Sequence, residues 1–270
     1  MARLDNKVAF ITGVARGQGR AHAVRMASEG ADIVGVDLAD ELPGVAYDSA
    51  TLDDLTETVR LVEAQGRKCY LEQADVRDLD RLKEVVDEGV ARFGGLDIVV
   101  ANAGICIPVV WSETTPKTFQ DTMDINVTGV WNTVMATAHH LVERGGGSIV
   151  LVSSSAGKKM QPFMVPYTTS KHAVTGMTRA FAAELGQHSI RVNSIHPGAV
   201  MSPMGSGAMQ DRIAETAASY PRLTSMNTPM LQQWAAEPDE IANVVAFLAS
   251  DESKFMSAEH VTIDGGAQYF

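Results

Sequence analysis

Apolar residues recur along this chain in two alternating rhythms. Short runs rich in Val and Ile, at residues 8–11, 31–36, 96–101, 148–152, 190–195 and 261–263, read as strands buried on both faces, and residues 68–74 form a weaker run of the same kind. Helical spacing fills the gaps. It runs through Ala23, Val24, Met26 and Ala27 after the first strand, and through Leu82, Val85, Val86, Val90 and Phe93 across residues 79–93, which Gly94-Gly95 close. Thr51 and Asp54 resemble a capping box, with Asp in the usual Glu place, ahead of Leu55, Val59, Leu61 and Val62. One long pattern covers residues 118–142 with Asn126 inside it, another carries Tyr167 to Leu185, and a last one covers 239–249. Strands alternating with helices predict an α/β fold, a single doubly wound (Rossmann-type) domain spanning residues 1–270 with about seven parallel strands and helices on both faces. Two segments fall outside the rhythm. Residues 39–50 are a turn-rich surplus after the second strand, either a solvated insertion or a flap over whatever the strand end binds. Residues 201–238 are irregular and rich in Met, Ser and Pro, either a loosely packed surface helix pair or an apolar lid over a substrate pocket.

Composition narrows the function classes. A net charge of −11 and a pI near 5.0 argue against nucleic acid or an anionic membrane surface as partner. Cys69 and Cys106 form no metal spacing and no disulfide framework, so no metal site is expected and a reducing cytoplasm suits the chain. No run of about 20 apolar residues occurs, and the first residues do not read as a secretion signal, so a cytoplasmic, non-membrane protein is expected.

The first strand ends in Gly13-Val-Ala-Arg16-Gly17-Gln18-Gly19, and the second in Asp37-Leu38. Strand, glycine turn, helix, strand and terminal acid form a nucleotide-binding unit: glycines admit a pyrophosphate close to backbone, and free N–H groups at the helix start favour its charge. Asp37 can accept both ribose hydroxyls of an adenosine and would repel a 2′-phosphate, which predicts NAD; Arg16 could instead reach such a phosphate or swing to solvent. Further strand ends carry Asp75-Val76 and Asn102-Ala103-Gly104, positioned to flank the same ligand. Ser154 precedes Tyr167 by thirteen positions, and Lys171 follows it by four, one helical turn away. A lysine ammonium there would lower the phenol from its ordinary pKa of about 10, suiting Tyr167 to exchange a proton with an alcohol or ketone oxygen.

In their order along the chain these elements, with Pro197-Gly198, resemble the short-chain dehydrogenase/reductase family over nearly its whole length. The resemblance implies Tyr167 as general acid/base, Lys171 as its activator and a ribose ligand, Ser154 as the group orienting the substrate oxygen, and Asn126 as the anchor of a relay water. It places Val200 and Ser202 beside the nicotinamide; Ser202 stands where Thr is more usual and keeps the hydroxyl. The surplus after Asp37, with residues 72–77 and 100–104, resembles the carveol-dehydrogenase-like, mycofactocin-associated subgroup. That implies a small apolar secondary alcohol as substrate, oxidised reversibly to its ketone in a pocket formed by Ile105, Ser154, Phe163, Met164, Tyr167 and Met204. It also implies NAD that stays bound while an external redox carrier reoxidises it, and a homotetramer. An NADPH-dependent carbonyl or acyl-thioester reductase and a non-catalytic nucleotide-binding regulator are the rival readings; the first lacks a basic residue at position 37 or 38, and the second has no need of Asn126, Ser154, Tyr167 and Lys171 together.

Overall fold

A computed structural model describes residues 2–42, 44–205, 207–218 and 220–269. Its first half runs β1 (Val8–Thr12), α1 (Gly17–Ser28), β2 (Asp32–Asp37), α2 (Leu52–Glu63), β3 (Cys69–Gln73), α3 (Leu79–Phe93) and β4 (Ile98–Ala101). The second half runs α4 (Pro116–Met123), α5 (Gly129–Arg144), β5 (Gly147–Val152), α6 (Val165–Leu185), β6 (Ile190–Pro197), α7 (Ala208–Ala218), α8 (Pro238–Ala249) and β7 (His260–Ile263).

The seven strands form one parallel sheet in the order β3-β2-β1-β4-β5-β6-β7. Alternate side chains of β1 enter opposite layers. Ala9 and Ile11 join Met26, Val62, Val245 and Leu248 of α1, α2 and α8, whereas Val8 and Phe10 join Val85, Val134 and Val174 of α3, α5 and α6. Chain order reverses between β1 and β4, and the carboxyl ends on either side of that reversal open the crevice in which such sheets bind ligands.

The local signals act as their chemistry requires. Thr51 and Asp54 exchange both capping-box hydrogen bonds, at 3.0 and 3.2 Å. Asp78 caps α3, whose other end turns at Gly94 in the left-handed region with φ 86°. Two expectations need correction. The single helix across 118–142 is interrupted: α4 and α5 are joined by a π-helical turn, Asp124–Thr128, that contains Asn126. Residues 201–238 are not irregular throughout, because Ala208–Ala218 form a helix that buries Met209. Among the described residues no helix is long and apolar enough to cross a membrane.

Candidate active site

The turn after β1 is built for close approach. Gly13 and Gly17 have φ of +67° and +55°, and a Cβ on Gly13 would lie 2.9 Å from the Ala103 Cα. A Cβ on Gly19 would collide with the Gly13 carbonyl at 1.9 Å. Thr12, which the motif reading gave no role, fixes the facing strand end: its hydroxyl accepts from the Asn102 and Ala103 N–H groups at 3.1 Å each. Asn102 returns two bonds through Nδ2, to the carbonyls of Thr12 at 2.9 Å and Gly13 at 3.1 Å. The cleft above this turn is lined by the predicted Gly13, Arg16, Gly17, Gln18 and Gly19, by Asp37 and Leu38, by Asp75 and Val76, and by Asn102, Ala103 and Gly104. It holds about 970 Å³ of empty space.

At its far end the Asp37 carboxylate accepts from the N–H groups of Ala15 at 2.9 Å and Ala39 at 3.2 Å. Burial raises its pKa, and these bonds and Arg16 partly offset that rise. Asp75 is held in its charged form against the cost of burial by hydrogen bonds from Arg77. The glycine cradle, the N-terminus of α1, an acid at the β2 end and a buried Gln18 Oε1 with no partner together fit a dinucleotide.

The surplus at 39–50 crosses this cleft. Leu42 and Val45 pack with Ile107 on Val76, just after β3, and on Ile105 and Ile125, which follow β4 across the reversal point. The Ser49 hydroxyl accepts from the Leu42 N–H at 3.0 Å, and Arg16 donates to the Asp48 carbonyl, so the basic residue of the glycine turn is engaged by the insertion. Gln73 on β3 donates to the Leu38 carbonyl at 2.9 Å. The insertion is therefore a packed strap.

A second cleft, with about 1740 Å³ of empty space, continues from the first through Gln18, Ser202 and Met204, which line both. Ser154, Tyr167, Pro197, Gly198 and Val200 line it, as does Met164. Ser154 stands in extended backbone just beyond β5, and its hydroxyl accepts from the Ala156 N–H at 3.2 Å. Tyr167 and Lys171 lie one turn apart on α6, with the ammonium 5.5 Å from the phenol ring centre and donating to the Val152 carbonyl at 2.9 Å. Burial pulls Lys171 down to about 8, with the Cys106 thiol opposing.

The expected fall in the Tyr167 pKa is not what the protein produces in this state. Burial is the largest influence and raises it, Cys106 and Tyr47 add to the rise, and the Ser154 hydroxyl alone opposes them. The lysine, 5.5 Å from the ring centre, does not offset that burial.

Asn126 is fully buried within the π turn. Its Oδ1 accepts from the Ile105 N–H at 2.8 Å, and Nδ2 donates to the Ile105 carbonyl at 2.9 Å and to Ser170 Oγ at 3.0 Å. Both amide donors are spent within the protein, so the side chain is a structural joint. Of the proposed pocket residues, Ile105 lines the nucleotide cleft instead. Phe163, at φ +64°, sets its ring 6.0 Å from that of Tyr220 and accepts from Val109 through its carbonyl, outside both clefts as lined.

Behind Ser154 runs a buried chain that motif spacing did not indicate. The Ser154 carbonyl takes His196 Nδ1 at 2.9 Å, Nε2 of the same ring meets Ser194 Oγ at 2.9 Å, and that hydroxyl meets His260 Nδ1 at 2.7 Å. A carbonyl only accepts, so His196 carries its proton on Nδ1; Ser194 then donates to His196 and accepts from His260. Burial holds His196 down to about 4, which keeps this arrangement neutral. One surface group of possible metal ligands occurs among the described residues, Asp87, His139 and His140, in which Asp87 already pairs with His140 at 2.7 Å.

Comparison with known proteins agrees with this geometry. Residues 13–268 match a family model of short-chain dehydrogenases described as enoyl-(acyl carrier protein) reductase. A short chain dehydrogenase from Mycobacterium paratuberculosis, solved bound to NAD, is 59% identical and superposes with a TM-score of 0.98 over 99% of this chain and 100% of its own. Carveol dehydrogenase from Mycobacterium avium, solved with NAD, is 41% identical with a TM-score of 0.94 over the full length of both chains (100% each). The (−)-trans-carveol dehydrogenase of Rhodococcus erythropolis is 40% identical over 98% of this chain and 99% of its own.

Proposed function

The chain belongs to the short-chain dehydrogenase/reductase family, and on that footing we propose that it is an NAD-dependent dehydrogenase of small, largely apolar secondary alcohols. The observation that carries this reading is Ser154 and Tyr167, with Lys171 buried beside the Tyr167 ring, in the wall of a cleft that continues into a dinucleotide cradle ending in an acid. When bound, NAD supplies the hydride acceptor. Tyr167 takes the proton of the alcohol hydroxyl, or returns it to the ketone oxygen, and Ser154 holds that oxygen by its own hydroxyl. Lys171, buried beside the Tyr167 ring, would hold the nicotinamide ribose when NAD is bound. The carveol dehydrogenases among its relatives support terpenol-like substrates.

The strap across the nucleotide cleft supports a cofactor that dissociates slowly and is reoxidised in place by an external carrier. A homotetramer accords with Trp131 and Met135, neighbours on one face of α5 that are 42% and 43% exposed.

The test is oxidation of (−)-trans-carveol with an artificial electron acceptor, run beside free NAD. Tyr167→Phe is expected to keep its nucleotide while turnover falls at least ~100-fold. Near-normal turnover in that variant would rule out the role given to Tyr167.

A further inference from the structure

Three side chains of the glycine turn and the post-β6 segment join the two clefts, and a fourth residue reaches the junction from the insertion. Tyr47 does not follow Leu42 and Val45 into the cluster around Ile105. It lines the nucleotide cleft, yet packs with Cys106, Met164, Met204 and Tyr167, the apolar wall of the substrate cleft. Its hydroxyl oxygen is buried, lies beside the Cys106 backbone, and has no well-formed hydrogen bond. It is also close enough to the Tyr167 phenol for a charge on either to be felt by the other.

A phenylalanine would fill the same space without the cost of burying an unpaired hydroxyl. The hydroxyl thus points to a ligand group, and counting lone pairs says which one. A ketone oxygen has two, and Ser154 and Tyr167 take both. A third hydroxyl, packed against the same wall from the nucleotide cleft, needs a different acceptor. We infer that Tyr47 is a substrate-specificity residue whose hydroxyl hydrogen-bonds a second oxygen of the substrate. The preferred substrate class is then a secondary alcohol on an apolar frame that bears one further hydroxyl or carbonyl. This rests on the dehydrogenase reading above. It also makes the insertion part of the reaction centre, so the strap reads substrate as well as covering the nucleotide.

The test compares cyclohexanol with the 1,2-, 1,3- and 1,4-cyclohexanediols as substrates of the nucleotide-loaded protein with an artificial electron acceptor. In the wild type at least one diol is expected to exceed cyclohexanol in kcat/KM by about 3- to 10-fold, the range for one added hydrogen bond. Tyr47→Phe is expected to bring the diol-to-cyclohexanol ratio to about 1 through the diol KM, with nucleotide retained. Any effect on turnover through Tyr167 falls on both alcohols and cancels in the ratio. Cyclohexanol serves as the internal control for folding. Diol-to-cyclohexanol ratios that are equal in wild type and variant, or no diol favoured by the wild type, would overturn the inference alone. Loss of nucleotide from Tyr47→Phe with its diol ratio intact would overturn it too, by giving the hydroxyl to the nucleotide. If the wild type oxidised none of the four alcohols, the dehydrogenase reading would fall and this inference with it.

Discussion

Replacing Asp37 with Asn isolates the charge that should choose between NAD and NADP. The two N–H groups facing the carboxylate, from Ala15 and Ala39, fix it at the end of β2, so it cannot turn away from a 2′-phosphate. Two unit charges about 4 Å apart at an effective dielectric near 20 repel by about 4 kcal/mol. At about 1.4 kcal/mol per decade that is nearly a thousandfold, and halving it for solvent around the phosphate still leaves about thirtyfold. Asn keeps an acceptor for one of the two N–H groups and removes the charge. Arg16, the nearby cation, is engaged by the Asp48 carbonyl and offers the phosphate little compensation in the wild type. Freshly purified wild type and Asp37→Asn would be denatured and the released nucleotides separated chromatographically. The wild type is expected to yield NAD almost alone, and the variant an NADP-to-NAD ratio at least about thirtyfold higher. Because burial raises the Asp37 pKa, the preference should also weaken as pH falls and the carboxyl becomes neutral. An unchanged ratio in the variant would refute the electrostatic account.

Two further outcomes follow from packing. Replacing Leu42 and Val45 together with Ser removes the apolar contact of the strap with the Val76–Ile105–Ile125 cluster, so nucleotide should survive gel filtration in wild type and be lost from the variant; equal retention would separate the strap from cofactor release. His22 is fully buried in α1 with neither ring nitrogen paired, and burial lowers its pKa to about 3 from an ordinary value near 6.5. A base depressed on folding binds more protons when unfolded, so its contribution is complete above about pH 6.5 and declines as pH falls towards 3. Between pH 6.5 and 5 the wild type should lose about 2 kcal/mol more stability to urea than His22→Leu, and parallel pH slopes would count against the assignment.

Local chemistry was legible in the chain wherever a residue acts on its own neighbours. Thr51 and Asp54 open α2 and Gly94 closes α3 because a cap and a left-handed turn are set within a few residues. The glycines of the first turn, the acid at the β2 end and the Tyr–Lys spacing are equally local. What failed depends on distant parts of the fold. Apolar spacing continues through 118–142, so nothing in the periodicity marks the π turn at Asp124–Thr128. The Tyr167 pKa is decided by how much of the chain covers the phenol, which spacing does not carry. Tyr47 looked like an ordinary loop residue, since only the folded strap brings it to Cys106. Phe163 lies next to a true pocket residue in sequence, but its backbone turns its ring towards Tyr220.

The π turn gives these separate features a common cause. An extra residue in one turn rotates Asn126 out of helical register, which lets its amide meet both the N–H and the carbonyl of Ile105. Only a side chain with one acceptor and two donors satisfies that pair and Ser170 Oγ together; Asp in its place would set a carboxylate against two oxygens that act as acceptors towards the amide. Ser170 in turn donates to the Tyr167 carbonyl at 2.7 Å. Gly104 permits the approach, since a Cβ there would lie 3.1 Å from Asn126 Oδ1 and 3.4 Å from Lys171 Nζ. Ile105 is the same residue against which the strap packs Leu42 and Val45. Strap, Ile105, Asn126, Ser170 and Tyr167 thus form one continuous path of contacts, so seating the strap bears on the position of the Tyr167 phenol.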